Sequence, residues 1–136
     1  MKRVMIILAI LVSVIVLFIS IFILKIEKVD MEFVETGNAV FVYGSSNISA
    51  VLTDKDLSYI TNLFDGKWIY SDNPSCGFNE DVSIRFNNGA ETFCIACDTC
   101  PIIYWKEKDK YFHISEKECK KLHELLGRYG FKFPCV

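Results

Sequence analysis

The pattern of hydrophobic and polar positions changes along this chain, and its first part is continuously apolar. Residues 4–24 carry no charge and include only two polar side chains, Ser13 and Ser20. At about 1.5 Å of rise per residue, a helix of this length crosses a hydrocarbon core of about 30 Å. A surface helix would carry a polar stripe, which this segment lacks. The pattern therefore predicts a transmembrane helix.

A cleaved secretory signal is the competing interpretation of the same segment. The apolar region of such a signal normally spans about 7–15 residues and ends at a small-residue cleavage site. Here the apolar run is longer, and Ile21 to Leu24 are bulky. We therefore expect residues 1–24 to form an uncleaved transmembrane signal-anchor, inserted through residues 4–24. Residues 25–136 then form one separate domain.

The charges beside the span predict its orientation. Lys2 and Arg3 precede it, whereas Lys25 and Lys28 after it alternate with acidic residues. Basic residues concentrate on the cytoplasmic side of membrane spans. We therefore expect a single-pass cell-membrane protein with a cytoplasmic N-terminus and its C-terminal domain outside. All the cysteines follow the span, and an even number in a small exported domain usually indicates disulfides. They are Cys76, Cys94, Cys97, Cys100, Cys119 and Cys135.

Two later stretches show the spacing of amphipathic helices and begin alike. In each, a hydroxyl residue is followed three positions later by an acid, the arrangement of a capping box, and an apolar residue precedes the cap. The pairs are Thr53 with Asp56 and Ser115 with Glu118. Aromatic strand-like segments follow both helices, at 67–70 and 131–133. The similarity, offset by 62 residues around 52–76 and 114–135, fits an internal repeat, but two independently capped helices would also produce it.

Between the helices the period changes to two, which is typical of strands. Residues 82–86 and 93–95 alternate about Asn88-Gly89, a preferred two-residue hairpin turn. This register pairs Ile84 with Phe93, Val82 with Ile95 and Asp81 with Ala96, and it turns Cys94 to the opposite face. Further strand patterns occur at 29–33, 40–43, 102–105 and 111–114. The sum predicts an α+β domain, an antiparallel sheet with two amphipathic helices packed on one face.

Charge and motifs restrict the function. Two of the 15 Lys and Arg residues precede the span, so the outer domain, with all 17 acidic residues, has a formal charge of −4. Nucleic acid is therefore not an expected partner, and an anionic lipid surface is not expected as the main one. We find no phosphate-binding loop, HExxH motif or Ser-His-Asp set in the sequence, and we predict no catalytic residue and no cofactor.

The cluster Cys94, Cys97 and Cys100 has three interpretations. It forms structural disulfides with Cys76 and Cys135, or Cys97-x-x-Cys100 is a redox-active dithiol. Alternatively Cys94, Cys97 and Cys100 bind a metal, with Cys76 or His113 as the fourth ligand. The cluster lies between antiparallel strands rather than before a helix, which favours disulfides over redox chemistry. The predicted register also brings Cys76 near Cys97 and Cys100. Cys119, at a helix staple position, is a buried thiol or a further disulfide partner.

These features predict a non-enzymatic, membrane-anchored binding domain, braced by disulfides, that contacts another envelope protein. The alternative is a thiol-redox or metal-handling protein that uses Cys94, Cys97 and Cys100.

Overall fold

The computed structural model describes residues 2–24, 26–35, 38–44 and 48–134. Three helices and seven strands make up this part of the chain. The helices are α1 (Lys2–Leu24), α2 (Asp54–Phe64) and α3 (Glu116–Gly127). The strands are β1 (Val40–Tyr43), β2 (Ile48–Val51), β3 (Ile69–Tyr70), β4 (Phe78–Phe86), β5 (Glu91–Ala96), β6 (Ile102–Trp105) and β7 (Lys110–His113).

Helix α1 has the properties that the sequence predicts for a membrane span. Its residues Val4–Ile23 are long and apolar enough to cross a membrane, and none of them is buried against the rest of the protein. The hydroxyls of Ser13 and Ser20 donate to the carbonyls of Ile10 and Val16, each at 2.8 Å. The two polar groups of the segment are therefore satisfied within the helix, as a hydrocarbon environment requires.

The seven strands form one antiparallel sheet in the order β2-β1-β4-β5-β6-β7-β3. The apolar residues of helices α2 and α3 pack together with one face of this sheet in a single core. Phe64 of α2 lies at the centre of that contact, with its ring 5.5 Å from Phe93 and 5.2 Å from Phe112. The predicted α+β architecture, an antiparallel sheet with helices on one face, is confirmed.

The central hairpin β4–β5 has the predicted register from Ser83 to Phe86. Ile84 pairs with Phe93, and Ser83 pairs with Cys94, so Cys94 faces away from the helices. The predicted two-residue turn is wrong, because the connection spans the four residues between Phe86 and Glu91. The Asn87 side chain holds the wider loop: its amide donates to the Phe33 carbonyl at 2.8 Å, and its oxygen accepts from the Glu35 backbone amide at 3.0 Å.

The far end of this hairpin departs from the prediction. Phe78, rather than Asp81, lies opposite Ala96, and the pairing is irregular between Phe78 and Ser83. Local hydrogen bonds hold the extra residues out of the ladder: Ser83 donates to the Glu80 carbonyl at 2.8 Å, and the Asp81 amide donates to Asn79 at 3.0 Å. The alternation of apolar and polar residues does not reveal these extra residues, because Val82 still lies in the core as the alternation predicts.

Three other predicted segments differ from the structure. Residues 29–33 form no strand; an isolated bridge joins the preceding Lys28 to Trp68, and Val29 makes backbone hydrogen bonds to Lys67 and Gly66. Residues 131–134 also lie outside the strands, whereas β2, which the sequence pattern did not indicate, forms an edge. The predicted strand at 111–114 is shifted by one residue, because Lys110 pairs with Trp105.

The two helix caps differ in their use of the acidic residue. Ser115 and Glu118 form the complete reciprocal box, with contacts of 3.2 and 2.6 Å, and Glu118 also binds Lys67 at 2.9 Å. Thr53 accepts from the Asp56 amide at 3.3 Å, but the Asp56 carboxylate does not complete the predicted box. Instead it accepts from the side chains of Arg128 and Tyr129, each at 2.6 Å, and so ties α2 to the end of α3.

These contacts set the ionisation of Asp56. Burial alone would raise the pKa of its carboxyl, but hydrogen bonds to Tyr129 and Thr53, together with the Arg128 charge, outweigh burial and lower the pKa. A carboxyl with a lowered folded-state pKa stabilises the fold above its unfolded pKa. That stabilisation is lost as the pH falls through the folded-state value.

We expect Asp56→Asn to lower the free energy of unfolding at pH 7 by about 2 kcal/mol, because hydrogen bonds to a charged group are weakened. The difference from the wild type should disappear at acidic pH, below the folded-state pKa. Urea unfolding followed by circular dichroism at several pH values measures both effects. Asp54→Asn, at an exposed carboxylate in the same helical turn, is the matched control. Equal losses in the two variants at pH 7 would contradict the role of Asp56.

Candidate functional site

Strand β5 is buried on both of its faces. Phe93 and Ile95 face the helices, whereas Cys94 and Ala96 face the other side, and all four are at most 1% exposed. The second face continues across the neighbouring strands, where Tyr104 pairs with both Cys94 and Tyr111. The rings of Tyr104 and Tyr111 lie 4.9 Å apart. This apolar face needs a cover of its own, because the helices pack on the opposite side.

The segment 71–78 contacts this second face. Phe78 places its ring 5.8 Å from Tyr104 and 5.7 Å from Tyr111. The Tyr111 hydroxyl donates to the Asn73 side chain at 3.2 Å. Just after the end of β5, the Cys97 amide donates to the Gly77 carbonyl at 3.3 Å. These contacts hold segment 71–78 beside the loop that follows β5.

A disulfide between Cys76 and Cys100 fastens the same two segments, with the α-carbons 6.0 Å apart. The sequence predicted that Cys76 would lie within disulfide reach of Cys97 or Cys100, and the Cys100 alternative is confirmed. The bond spans 24 residues of sequence and connects segment 71–78 to the loop at 97–101. It therefore restrains the cover of the second sheet face.

Cys94 and Cys119 are free buried thiols. Burial, followed by the Glu80 carboxylate, raises the pKa of Cys94 to about 11. Burial, followed by Asp98, also raises the pKa of Cys119, which lies at the staple position as a thiol rather than in a disulfide. Cys97 is partly buried and packs against the core. Cys135, the remaining disulfide candidate, lies outside the described residues.

The closest set of metal-ligand types near the cysteine loop is not the one that the sequence suggested. Among the described residues, ligand atoms of Cys76, Asp98 and Cys100 lie within 4.8 Å of one another. In the disulfide form the two sulfurs are bonded to each other, so neither is the thiolate that a metal requires. Cys94 instead points into the aromatic layer of the sheet. His113, the suggested fourth ligand, is exposed and stacks on Tyr70 at 5.6 Å.

A groove of about 730 Å³ lies beside this loop, along α3. On its floor, His123 places Nε2 3.8 Å from the Cys119 sulfur and stacks on Phe133 at 4.3 Å. The Cys119 sulfur also lies 4.0 Å from the Cys100 carbonyl oxygen, so the groove adjoins the disulfide loop. The residues that line it are Thr99, Glu116, Cys119, Lys120, His123, Glu124 and Phe133.

The His123 ring is half-buried against Phe131 and Phe133, although charged residues surround its position on the helix. The spacing of Cys119 and His123, four residues apart on one helix, was the available signal that the two side chains meet. The partner Phe133 could not be identified in this way, since it comes from a separate segment after the helix.

The ionisation of the groove floor restricts its chemistry. Burial lowers the pKa of His123 and raises the pKa of Cys119, so both side chains are neutral at neutral pH. A cysteine nucleophile acts as the thiolate, usually with a lowered thiol pKa. The groove therefore presents a neutral sulfur and aromatic floor, and its rim carries the charges of Glu116, Lys120 and Glu124.

No protein-family model, curated protein or solved structure matches this chain. The function must therefore be inferred from the geometry of these residues.

We expect the double variant Cys76→Ser/Cys100→Ser to be less stable by about 3 kcal/mol, because opening a loop of this length restores entropy to the unfolded chain. For a domain of this size that corresponds to a melting temperature lower by roughly 10 °C. Thermal unfolding of the full chain in detergent, followed by near-ultraviolet circular dichroism, measures the difference. The single variant Cys119→Ser, which breaks no disulfide, serves as the control. A double variant that melts with the wild type would exclude the brace.

Cys94 should react very slowly with iodoacetamide in the folded protein, because its thiol is buried and its pKa is about 11. Raising the pH toward 10 should increase the rate about tenfold per pH unit while the fold persists, as expected for a reactive thiolate. Peptide mass spectrometry after timed labelling gives the rate for each cysteine. Labelling in urea supplies the unprotected reference. Native and urea rates that agree at pH 8 would show that Cys94 is accessible and unperturbed.

Proposed function

We propose that this chain is a single-pass cell-membrane protein with a cytoplasmic N-terminus. Its domain outside the membrane is a non-enzymatic binding module that contacts another envelope protein. The disulfide between Cys76 and Cys100 braces this module. The apolar helix Val4–Ile23 supports the anchor, and the basic residues before it support the orientation. The disulfide supports an oxidising compartment, since such bonds persist mainly outside the cytoplasm.

The groove beside α3 is the observation that carries the binding role. Protein-binding surfaces commonly combine an apolar or aromatic centre with a charged rim, and the centre supplies most of the affinity. Phe133 is 39% exposed although it stacks on His123, so an aromatic surface stays accessible at the groove. Glu116 and Lys120 on the rim carry opposite charges, which suits a polypeptide with mixed charge better than a highly charged ligand.

The alternative is metal handling after reduction of the disulfide. Its supporting observation is the set Cys76, Asp98 and Cys100, whose ligand atoms lie within 4.8 Å. Reduction of the disulfide by an external dithiol would give two thiols, and loss of their protons would give two thiolates beside the Asp98 carboxylate. Two thiolates and a carboxylate are ligand types that Zn²⁺ accepts.

The binding proposal is tested by placing a photo-crosslinking benzoylphenylalanine at position 133 of the full chain. The variant is expressed in the cells that normally produce the protein. Illumination should yield one recurring adduct with an envelope protein, and Lys120→Glu should reduce the yield because it reverses a rim charge. Mass spectrometry identifies the adduct. The same probe at Val51, which is 64% exposed on β2, is the matched control. Adducts at both positions in equal amount, or at neither, would contradict a binding groove.

A count of thiols and metal separates the two candidate functions. Protein purified without reductant should retain Cys76 and Cys100 as a disulfide and Cys94 and Cys119 as thiols, and it should carry no stoichiometric metal. Titration of thiols in denaturant and elemental analysis give both numbers. One equivalent of metal together with free Cys76 and Cys100 would favour the metal-handling alternative.

A further inference from the structure

The chain enters the outer domain almost directly after helix α1. The Ile26 amide still donates to the Ile23 carbonyl at 3.2 Å, and the next residues pair with the segment that precedes β3. Lys28 and Trp68 face each other in an antiparallel bridge. The flanking backbone bonds are Ile69 N to Glu27 O at 3.1 Å, Val29 N to Lys67 O at 2.8 Å, and Gly66 N to Val29 O at 2.8 Å.

This pairing leaves little chain between the helix and the sheet. The helix ends at Leu24, and Glu27 already accepts a bond from the domain. Three residues reach at most about 10 Å even when fully extended. The headgroup region adds about 5–8 Å on each side of a hydrocarbon core of about 30 Å. If Val4–Ile23 fills that core, the bridge between Lys28 and Trp68 lies in or just above the headgroup layer.

The side chains at this bridge suit that layer. Trp68 is a large apolar side chain that is 58% exposed, and the Lys28 ammonium lies 5.2 Å from the centre of its ring. Tryptophan is enriched at membrane interfaces, where its apolar ring and its N–H group both find suitable surroundings. Lysine can extend its ammonium toward the headgroups while its stem stays on apolar surface. Lys108, which binds Glu27 at 2.9 Å, places the turn between β6 and β7 beside the same segment.

We infer that Trp68 and Lys28 form a membrane-contact surface. This surface holds the base of the outer domain, meaning the part around the Lys28–Trp68 bridge, against the lipid headgroups. The inference rests on the proposed anchor and adds to it a second point of attachment. Its occupant is the bilayer that α1 crosses, because so short a connection leaves the base of the domain at that surface. The contact uses an indole and a local lysine, so it is compatible with the net negative charge of the domain.

Depth-dependent fluorescence quenching tests this surface. The chain contains two tryptophans, and Trp105 is buried at 2% exposure, so the difference between wild type and Trp68→Phe reports Trp68. The full chain is reconstituted in phosphatidylcholine vesicles containing phosphatidylglycerol. We expect a nitroxide on the lipid headgroup to quench most of the Trp68 emission and aqueous iodide on both sides of the membrane to quench little of it. Trp105, the only tryptophan of Trp68→Phe, should respond weakly to both.

Two outcomes would overturn the inference, and they differ in what else they refute. Protein that floats with the vesicles but shows Trp68 emission quenched by iodide and not by the nitroxide lipid refutes the contact surface and leaves the anchor intact. Protein that does not float with the vesicles refutes the anchor and the surface together. Matching thermal unfolding of Trp68→Phe and wild type verifies that the variant is folded.

Discussion

The burial of strand β5 on both faces is the constraint on which the rest of the domain depends. Phe93 and Ile95 need cover on one side, and Cys94 and Ala96 need it on the other. The two amphipathic helices cover the first face. The second is covered in part by the segment 71–78, in which only the last residue, Phe78, belongs to a strand, so holding the segment in place costs conformational entropy. A disulfide at Cys76 offsets part of that cost.

Buried and half-buried ionic contacts join segments that are distant in sequence. Asp56 on α2 binds Arg128 and Tyr129 at the end of α3, so the two covering helices are linked by a carboxylate that is largely buried. At the other end of the helix pair, Glu118 combines a cap with an ion pair to Lys67. Lys67 immediately precedes Trp68, so the helix layer is tied to the segment that pairs with the chain just after α1.

This organisation separates the cysteines by role. One pair closes a cover, whereas Cys94 and Cys119 fill buried positions in which their raised pKa values make them poor nucleophiles. Cys119 also borders the groove along α3, where it meets His123 and an aromatic ring from the segment after the helix. A domain whose base lies near the bilayer would carry this groove outside the membrane as a binding surface. In the function that we propose, the Cys76–Cys100 disulfide and the buried Cys119 serve to stabilise the structure around this groove.

The sequence by itself determined the features that depend on near neighbours. The apolar span, the caps at Thr53 and Ser115 and the register about Ile84 and Phe93 each follow from spacing within a short window, where local sterics and burial leave one solution. Tertiary structure decided the rest. The irregular pairing below Ser83 depends on side chains that bond to local backbone, and the choice of Cys100 over Cys97 depends on where segment 71–78 lies. The partners of Asp56 lie more than 70 residues away in sequence, and Phe133 reaches His123 from a segment outside its helix. No periodicity encodes such contacts, because they exist only after the sheet and helices have packed.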